Sequence, residues 1–502
     1  MYRTKIAGVI LSAALVFGGP ALAQSTFVYA DAGEPTTLDP AKANINWEFT
    51  ITRNVFDRLV SFDLDDPSKI LPALATEWSQ DGTTWTFKLR EGVTFHDGTA
   101  FDATDVKASL DRMLSLAQGQ SYLVSDITDV TVTDPTTVTI TTKTPNVFLA
   151  GNLARIEMVS DEDIANHDEA WFGENANGTG PYKFVSWQRG SQVELARNAD
   201  WWGDFPAGVF DRVLVRVVAD GQNRAQGVQG GTYDMANFIP LDDALRIGKA
   251  DGFHMVEGDN LWAWPAIYFN MDIAPTNSAD FRAALSQAFS YQAMLDFNQG
   301  LAVVPRGPVP SWFPGSPEDS MAEITTDLDA AKASLKASGL EGATMKCVIP
   351  AGFPEFRFAA TVLQSSAQQI GVTVQIEEAP FVEAITAIKS DTSNCFALGN
   401  ANLSPNDPTK FFSAHYLKGG FFNSGKFADD GLEKIMADLP AVTDAAKRDA
   451  MLKEAAQIVV DSHYVIWGIR PKTVVVEPDK IAGYRIDPAE YINIRFWEIH
   501  AK

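Results

Sequence analysis

Cysteine and histidine are scarce in this chain: 502 residues hold two of the first and six of the second. The histidines stand at 96, 167, 254, 415, 463 and 500, and no two of them have metal-ligand spacing. No H-E-x-x-H and no G-x-S-x-G occurs, so the common signatures of zinc and serine hydrolases are missing. Residues 420–426, GFFNSGK, fit most of a phosphate-loop pattern. Phe427 follows where a Ser or Thr must hold magnesium, and no strand leads in, so the match is chance. Positive charge is also short: 40 Lys and Arg stand against 64 Asp and Glu, a formal net charge of -24. That balance argues against nucleic acid, whose binding needs basic patches, and against anionic lipid. Beyond the amino terminus no apolar run approaches the 18 or so residues needed to cross a bilayer.

What is present begins with a leader. Arg3 and Lys5 precede an apolar run over residues 6–17, and Ala21, Leu22 and Ala23 form an A-x-A cleavage signal. The expectation is a signal peptide over residues 1–23, a mature start at Gln24 and a periplasmic protein. No cysteine follows the cleavage point to carry a lipid. Export permits a disulfide between Cys347 and Cys395; two buried free thiols are the alternative.

Residues 83–112 hold the densest pattern. Trp85, Phe87 and Leu89 alternate with Thr84, Thr86 and Lys88, a half-buried strand. Asp97 and Gly98 make a turn, Thr104 precedes a helix, and Val106, Leu110, Met113 and Leu114 form its apolar stripe. Asp105 suits the positive end of that helix. Elsewhere the periodicity predicts strands over 27–30 and 213–218, a strand pair around Asp134 and Pro135, and helices over 47–60 and 281–297. From residue 328 onward the pattern becomes β-α-β-α-β: helix 328–338 is followed by strands 345–349, 372–376 and 395–398 with helices between them. That order implies a right-handed parallel sheet. Its first and third strands are commonly neighbours, so Cys347 and Cys395 could meet. Thr443 is read as the cap of a long helix to residue 460, with a strand over 463–469 behind it. Ligands of open α/β sheets sit in the loops after the strands, here 350–355 and 399–407.

Several of these segments resemble the substrate-binding proteins of ABC importers, in the peptide, opine and nickel-binding family 5. The shared pattern runs through Asp81 and Gly82, Trp85, Phe87, Leu89 and Arg90, Gly92 and Val93, the FHDG of residues 95–98, Thr104 to Val106, Ser109 and Arg112. The LDP loop ending at Pro40, the GTGPY turn of residues 178–182, the turn from Asn198 to Gly203 and the GTYD of residues 231–234 are similar too. The resemblance implies an α/β, bilobal periplasmic-binding fold of type II with a small extra domain. Lobe I would comprise 24–62, 183–268 and 481–502. The inserted α+β domain would be 63–182 and lobe II 269–480. It also implies a monomeric carrier that passes a solute to inner-membrane permease subunits, without a cofactor and without catalysis. Because the family includes nickel carriers, His415 is kept as a metal candidate.

The candidate ligand contacts are Glu34, Trp262, Trp264, Arg357, Asn400, Asn402 and Asp407. The tryptophans offer flat apolar faces or belong to the core; Arg357 could receive a carboxylate or lie in solvent. The pair Trp201 and Trp202 is read as packing. Peptide-binding relatives carry a Trp and then an amine-binding Asp in the loop that here reads GNANLSPND, and this Trp is missing. The loop's asparagines suit hydroxyls and amides. The expected ligand is therefore a peptide-like or other small polar solute, with an oligosaccharide or opine-type sugar conjugate as the alternative. A secreted hydrolase or a ligand sensor is the alternative of a different class.

Overall fold

The strand Thr26–Asp31 organises the first sheet of the computed structural model, which describes residues 25–258, 263–400, 407–487 and 494–502. Its two neighbours, Met235–Ala236 and Arg212–Val217, run parallel to it. Gln192–Arg197 and Tyr182–Gln188 then extend the sheet antiparallel. Alternation explains the placement: Phe27 and Tyr29 are buried with Val213 and Val215 in one core, which Phe496 from the carboxyl terminus completes.

The inserted domain is a four-stranded antiparallel sheet ordered Ala75–Asp81, Thr84–Leu89, Thr137–Thr142 and Ile127–Asp134. The helix Ala103–Leu116 covers one face. Trp85, Phe87 and Leu89 meet Val106, Leu110 and Met113 there, as their spacing predicts. The cap is Asp102, one position before the helix: its carboxylate accepts from Thr104 N and Asp105 accepts in return from Asp102 N. Thr104 is therefore inside the first turn.

The second sheet is ordered Thr373–Ala379, Thr344–Pro350, Cys395–Asn400, Ala263–Phe269 and Val465–Ile466. Its first three strands are parallel, and Cys347 lies in register with Cys395. The two are joined by a disulfide, with Cα atoms 4.6 Å apart.

Pairing redraws the expected lobe boundaries. Residues 263–268, expected in lobe I, belong to the second sheet, because Ala263–Phe269 pairs with Cys395–Asn400. Thr473–Pro478, expected in lobe II, pairs with Phe253–Gly258 and packs on lobe I. The chain therefore crosses between lobes at 258–263 and again at 471–473.

Other local expectations shift for identifiable reasons. The helix expected over 47–60 is Asn46–Val55, and Val60–Phe62 is already a strand. The helix expected over 281–297 splits into Ala279–Ala288 and Tyr291–Phe297, because Ser290 caps the second piece. Asp444, not Thr443, caps Ala445–Asp461. The strand expected over 463–469 shrinks to Val465–Ile466, since His463 adopts a positive φ of 48°.

Candidate functional site

The parallel strands of both sheets point their carboxyl ends toward the crossings between the lobes. Ala263, where the chain enters lobe II, pairs with Asn400, the last residue of its strand. Gly258, where the chain leaves lobe I, pairs with Thr473. Thr473 lines a cavity of about 240 Å³ with Tyr29, Ala236 and Phe238 at the end of the first sheet. A solute held between these two edges touches both lobes beside the hinge, the position expected of open α/β sheets.

The lobe I edge is a fixed polar scaffold. Asp31 Oδ1 accepts from Asn237 Nδ2 at 2.6 Å, and Oδ2 accepts from Thr50 Oγ1 at 3.2 Å. Asn237 Oδ1 accepts in turn from Ala32 N at 3.0 Å. Burial raises the Asp31 pKa to about 6, against the pull of these donors. Arg224 donates to the carbonyls of Val218, Ala219, Asn237 and Phe238. One guanidinium thus joins the loops that follow the two strands flanking Thr26–Asp31. Phe238 sits on this rim with a positive φ of 45° and a side chain 43% exposed. A non-glycine residue in that region marks a constrained position.

The lobe II edge is apolar. Phe353 follows Thr344–Pro350 and Phe381 follows Thr373–Ala379, with ring centroids 6.2 Å apart. Phe381 and Val382 are exposed. An apolar surface combined with a few fixed polar groups is suited to binding. Among the described residues no three His, Cys, Asp or Glu side chains gather as a metal site. His415 is buried, stacked on Phe422 at 4.8 Å and tilted against Phe411.

The candidate ligand contacts of the sequence reading scatter. Trp262 and Asn402 lie outside the described residues. Trp264 and Asn400 stand on the strands that meet at the cleft edge. Glu34 is half-buried and accepts through one oxygen from Trp187 Nε1 at 3.0 Å and Gly190 N at 2.8 Å, which ties its loop to a hairpin. Arg357 is exposed and paired with Glu378. Asp407 is buried: Oδ1 caps the helix Pro408–His415 through Thr409 N, and Oδ2 accepts from Asn152 Nδ2 of the inserted domain at 3.1 Å. Its carboxylate is used within the fold. Trp201 and Trp202 both direct their indole N–H groups at half-buried Asp57, which makes them part of a joint.

Asp31, Arg224, Asn237 and Phe238 escaped the sequence reading. The available signal was the GTYD unit, which ends at Asp234, three residues before Asn237.

Comparison with known proteins places this architecture. The family model "Bacterial extracellular solute-binding proteins, family 5 Middle" matches residues 69–423. The probable D,D-dipeptide-binding periplasmic protein DdpA of Escherichia coli (strain K12) is 26% identical over 97% of this chain and 96% of its own length. The glutathione-binding protein GsiB of Pectobacterium atrosepticum is 29% identical over 95% of each chain. The ABC transporter-associated periplasmic binding protein DppA of Helicobacter pylori, solved with the peptide STSA, superposes with a TM-score of 0.77 at 23% identity. That match covers 95% of this chain and 98% of the other. Among the described residues no helix is long and apolar enough to cross a membrane. With its two sheets hinged at their carboxyl edges and its inserted domain, the chain belongs to the bacterial extracellular solute-binding proteins of family 5.

Proposed function

We propose that this chain captures a peptide-like or other small polar solute between its two sheet edges and hands it to the permease of an ABC importer in the inner membrane. It acts in the periplasm as a monomeric carrier and not as an enzyme. The carrying observation is the shared hinge: both rows of strand ends flank the same two crossings, so closure brings both onto one solute. Relatives named for D,D-dipeptides and glutathione support a peptide-like ligand. Trp264 and Asn400, on strands of the second sheet, supply contacts, and Trp262 and Asn402 are kept as contacts from their place in the sequence alone. Glu34 keeps one carboxylate oxygen for a ligand ammonium. Arg357 and Asp407, engaged by Glu378 and Asn152, contribute least.

The asparagines of residues 399–407 favour a second reading, an opine-type sugar conjugate or oligosaccharide, because amides pair well with hydroxyls. Native mass spectrometry of the exported protein decides whether a solute is retained and gives its mass. Calorimetry against a D,D-dipeptide, Met-Leu, glutathione, an opine and short oligosaccharides then separates the classes. Stoichiometric binding of a peptide, weakened by Glu34→Gln, is the expected result. Binding of only sugars moves the reading to the second class; turnover of any probe overturns the carrier role.

A further inference from the structure

We propose that the inserted domain is a latch that grips lobe II and holds the lobes closed. The segment 146–152 forms it. Asn146 is buried and fixed from behind: its carbonyl accepts from the Trp85 indole at 3.0 Å, and its amide donates to Asp126 at 2.7 Å. Two hydrogen bonds then reach across to lobe II. Val147 N donates to Pro440 O at 3.0 Å, and Asn152 Nδ2 donates to Asp407 Oδ2 at 3.1 Å. Between them Phe148 packs against the lobe II core that contains Phe411 and Leu439. The helix Leu149–Leu153 presents Leu149 and Leu153 to the inserted domain's own core. One short segment is therefore shared by two cores.

Asp407 makes this contact relevant to solute capture. It stands seven residues beyond Asn400, the strand end at the cleft, and it begins the helix Pro408–His415. Both Asn152 and Asp407 are buried, so the bond is shielded from water. Parting the lobes breaks it and leaves a polar atom on each side to be resolvated. Asn152 and Phe148 are thus positioning residues for affinity: they touch no solute, and they bias the equilibrium on which the solute acts.

The inference rests on the lobes closing over a solute, yet it can be tested without one. The native cysteines are bonded to each other, so introduced cysteines are the only free thiols among the described residues. Spin labels at Val185→Cys in lobe I and Ala333→Cys in lobe II, both exposed positions, report the opening by dipolar distance measurement. The full mature chain without solute should show a population at the distance of this structure. Asn152→Ala should raise the ratio of open to closed molecules about fivefold, the worth of one buried hydrogen bond. Phe148→Ser should raise it further. For any of a D,D-dipeptide, Met-Leu or glutathione that binds, the dissociation constant should rise by a similar factor through faster release. Unchanged distance distributions in both variants overturn the latch, as does wild-type protein with no closed population. Failure of all three probes to bind counts against the peptide reading and leaves the distance result to decide the latch.

Discussion

The inserted domain has two joints, and they are built differently. Toward lobe I it is welded. Arg53 and Glu157 form a buried ion pair at 2.7 Å. Asp57 gathers Thr179, Trp201 and Trp202. Within the inserted domain His96 braces the turn at Gly178 N and Gly180 O, and from that turn Gly180 N donates across to Val55 O of lobe I. Toward lobe II, among the described residues, the same domain offers the Val147–Pro440 and Asn152–Asp407 hydrogen bonds and the Phe148 ring. The first joint combines charges that cannot be left unpaired with backbones in close contact. The second can open at modest cost. The comparison teaches that the inserted domain is bound to lobe I by buried charge and close backbone contact and to lobe II by a lighter contact.

The most severe way to break the welded joint is steric. A Cβ on Gly178 would lie 2.0 Å from Val55 O. Gly178→Ala should therefore destabilise the chain by on the order of 4 kcal/mol, read as a lower midpoint in urea unfolding. Removing a charge comes next. Glu157→Ala strips buried Arg53 of its carboxylate and should cost about 3 to 4 kcal/mol by the same measurement; an effect below about 1 kcal/mol would mean that the pair is solvated.

Acid probes the weld through His96. The neutral ring donates from Nε2 to Gly180 O and accepts at Nδ1 from Gly178 N, and burial lowers its pKa to about 4. The unfolded imidazole, near its ordinary value of about 6.5, takes up a proton first. His96 therefore contributes full stability above about pH 6.5 and loses it as the pH falls toward 4, on the order of 3 kcal/mol in all. Asp31, raised to about 6, acts oppositely, since the cost of its buried charge is relieved as the pH falls below 6. Urea midpoints for wild type and His96→Gln at pH 7, 5.5 and 4.5 separate the two, and the variant should lack the His96 part of the slope. The smallest effect sharpens the contrast. Arg357→Ala breaks only an exposed pair and should shift stability by less than about 0.5 kcal/mol.

The weld was legible in the sequence without being recognisable as a weld. FHDG and GTGPY stand about eighty residues apart as separate family patterns, and the structure shows them as partners through His96, Gly178 and Gly180. The LDP loop and the last arginine of the long pattern likewise meet, as Arg112 grips Asp39 with bonds of 2.8 and 2.6 Å. Two strands of the second sheet, Thr344–Pro350 and Cys395–Asn400, were readable because each carries a short apolar run, CVI and CFAL. The binding edges were harder. A positive φ at Phe238 and a guanidinium holding four carbonyls depend on which loops become neighbours, and periodicity does not encode that. Asp407 was visible as a carboxylate in the right loop; its partner Asn152 lies 255 positions away, and only the tertiary fold assigns one to the other. The lobe boundaries slipped for a related reason, because a crossing strand takes its membership from the sheet that accepts it.

The bond between Cys347 and Cys395 has a consequence in time. Both residues are wholly buried beneath the helices of lobe II. Neither an oxidant nor a reductant reaches the sulfurs while that packing is intact. The bond must form while lobe II is still assembling, before the helix Pro354–Gln369 seals the sheet. Once sealed, it closes a loop spanning a sequence separation of 48, a constraint worth on the order of 4 kcal/mol against the unfolded chain. A thiol reductant then becomes a clock: the rate at which it opens this disulfide in the native protein is the rate at which lobe II itself comes apart.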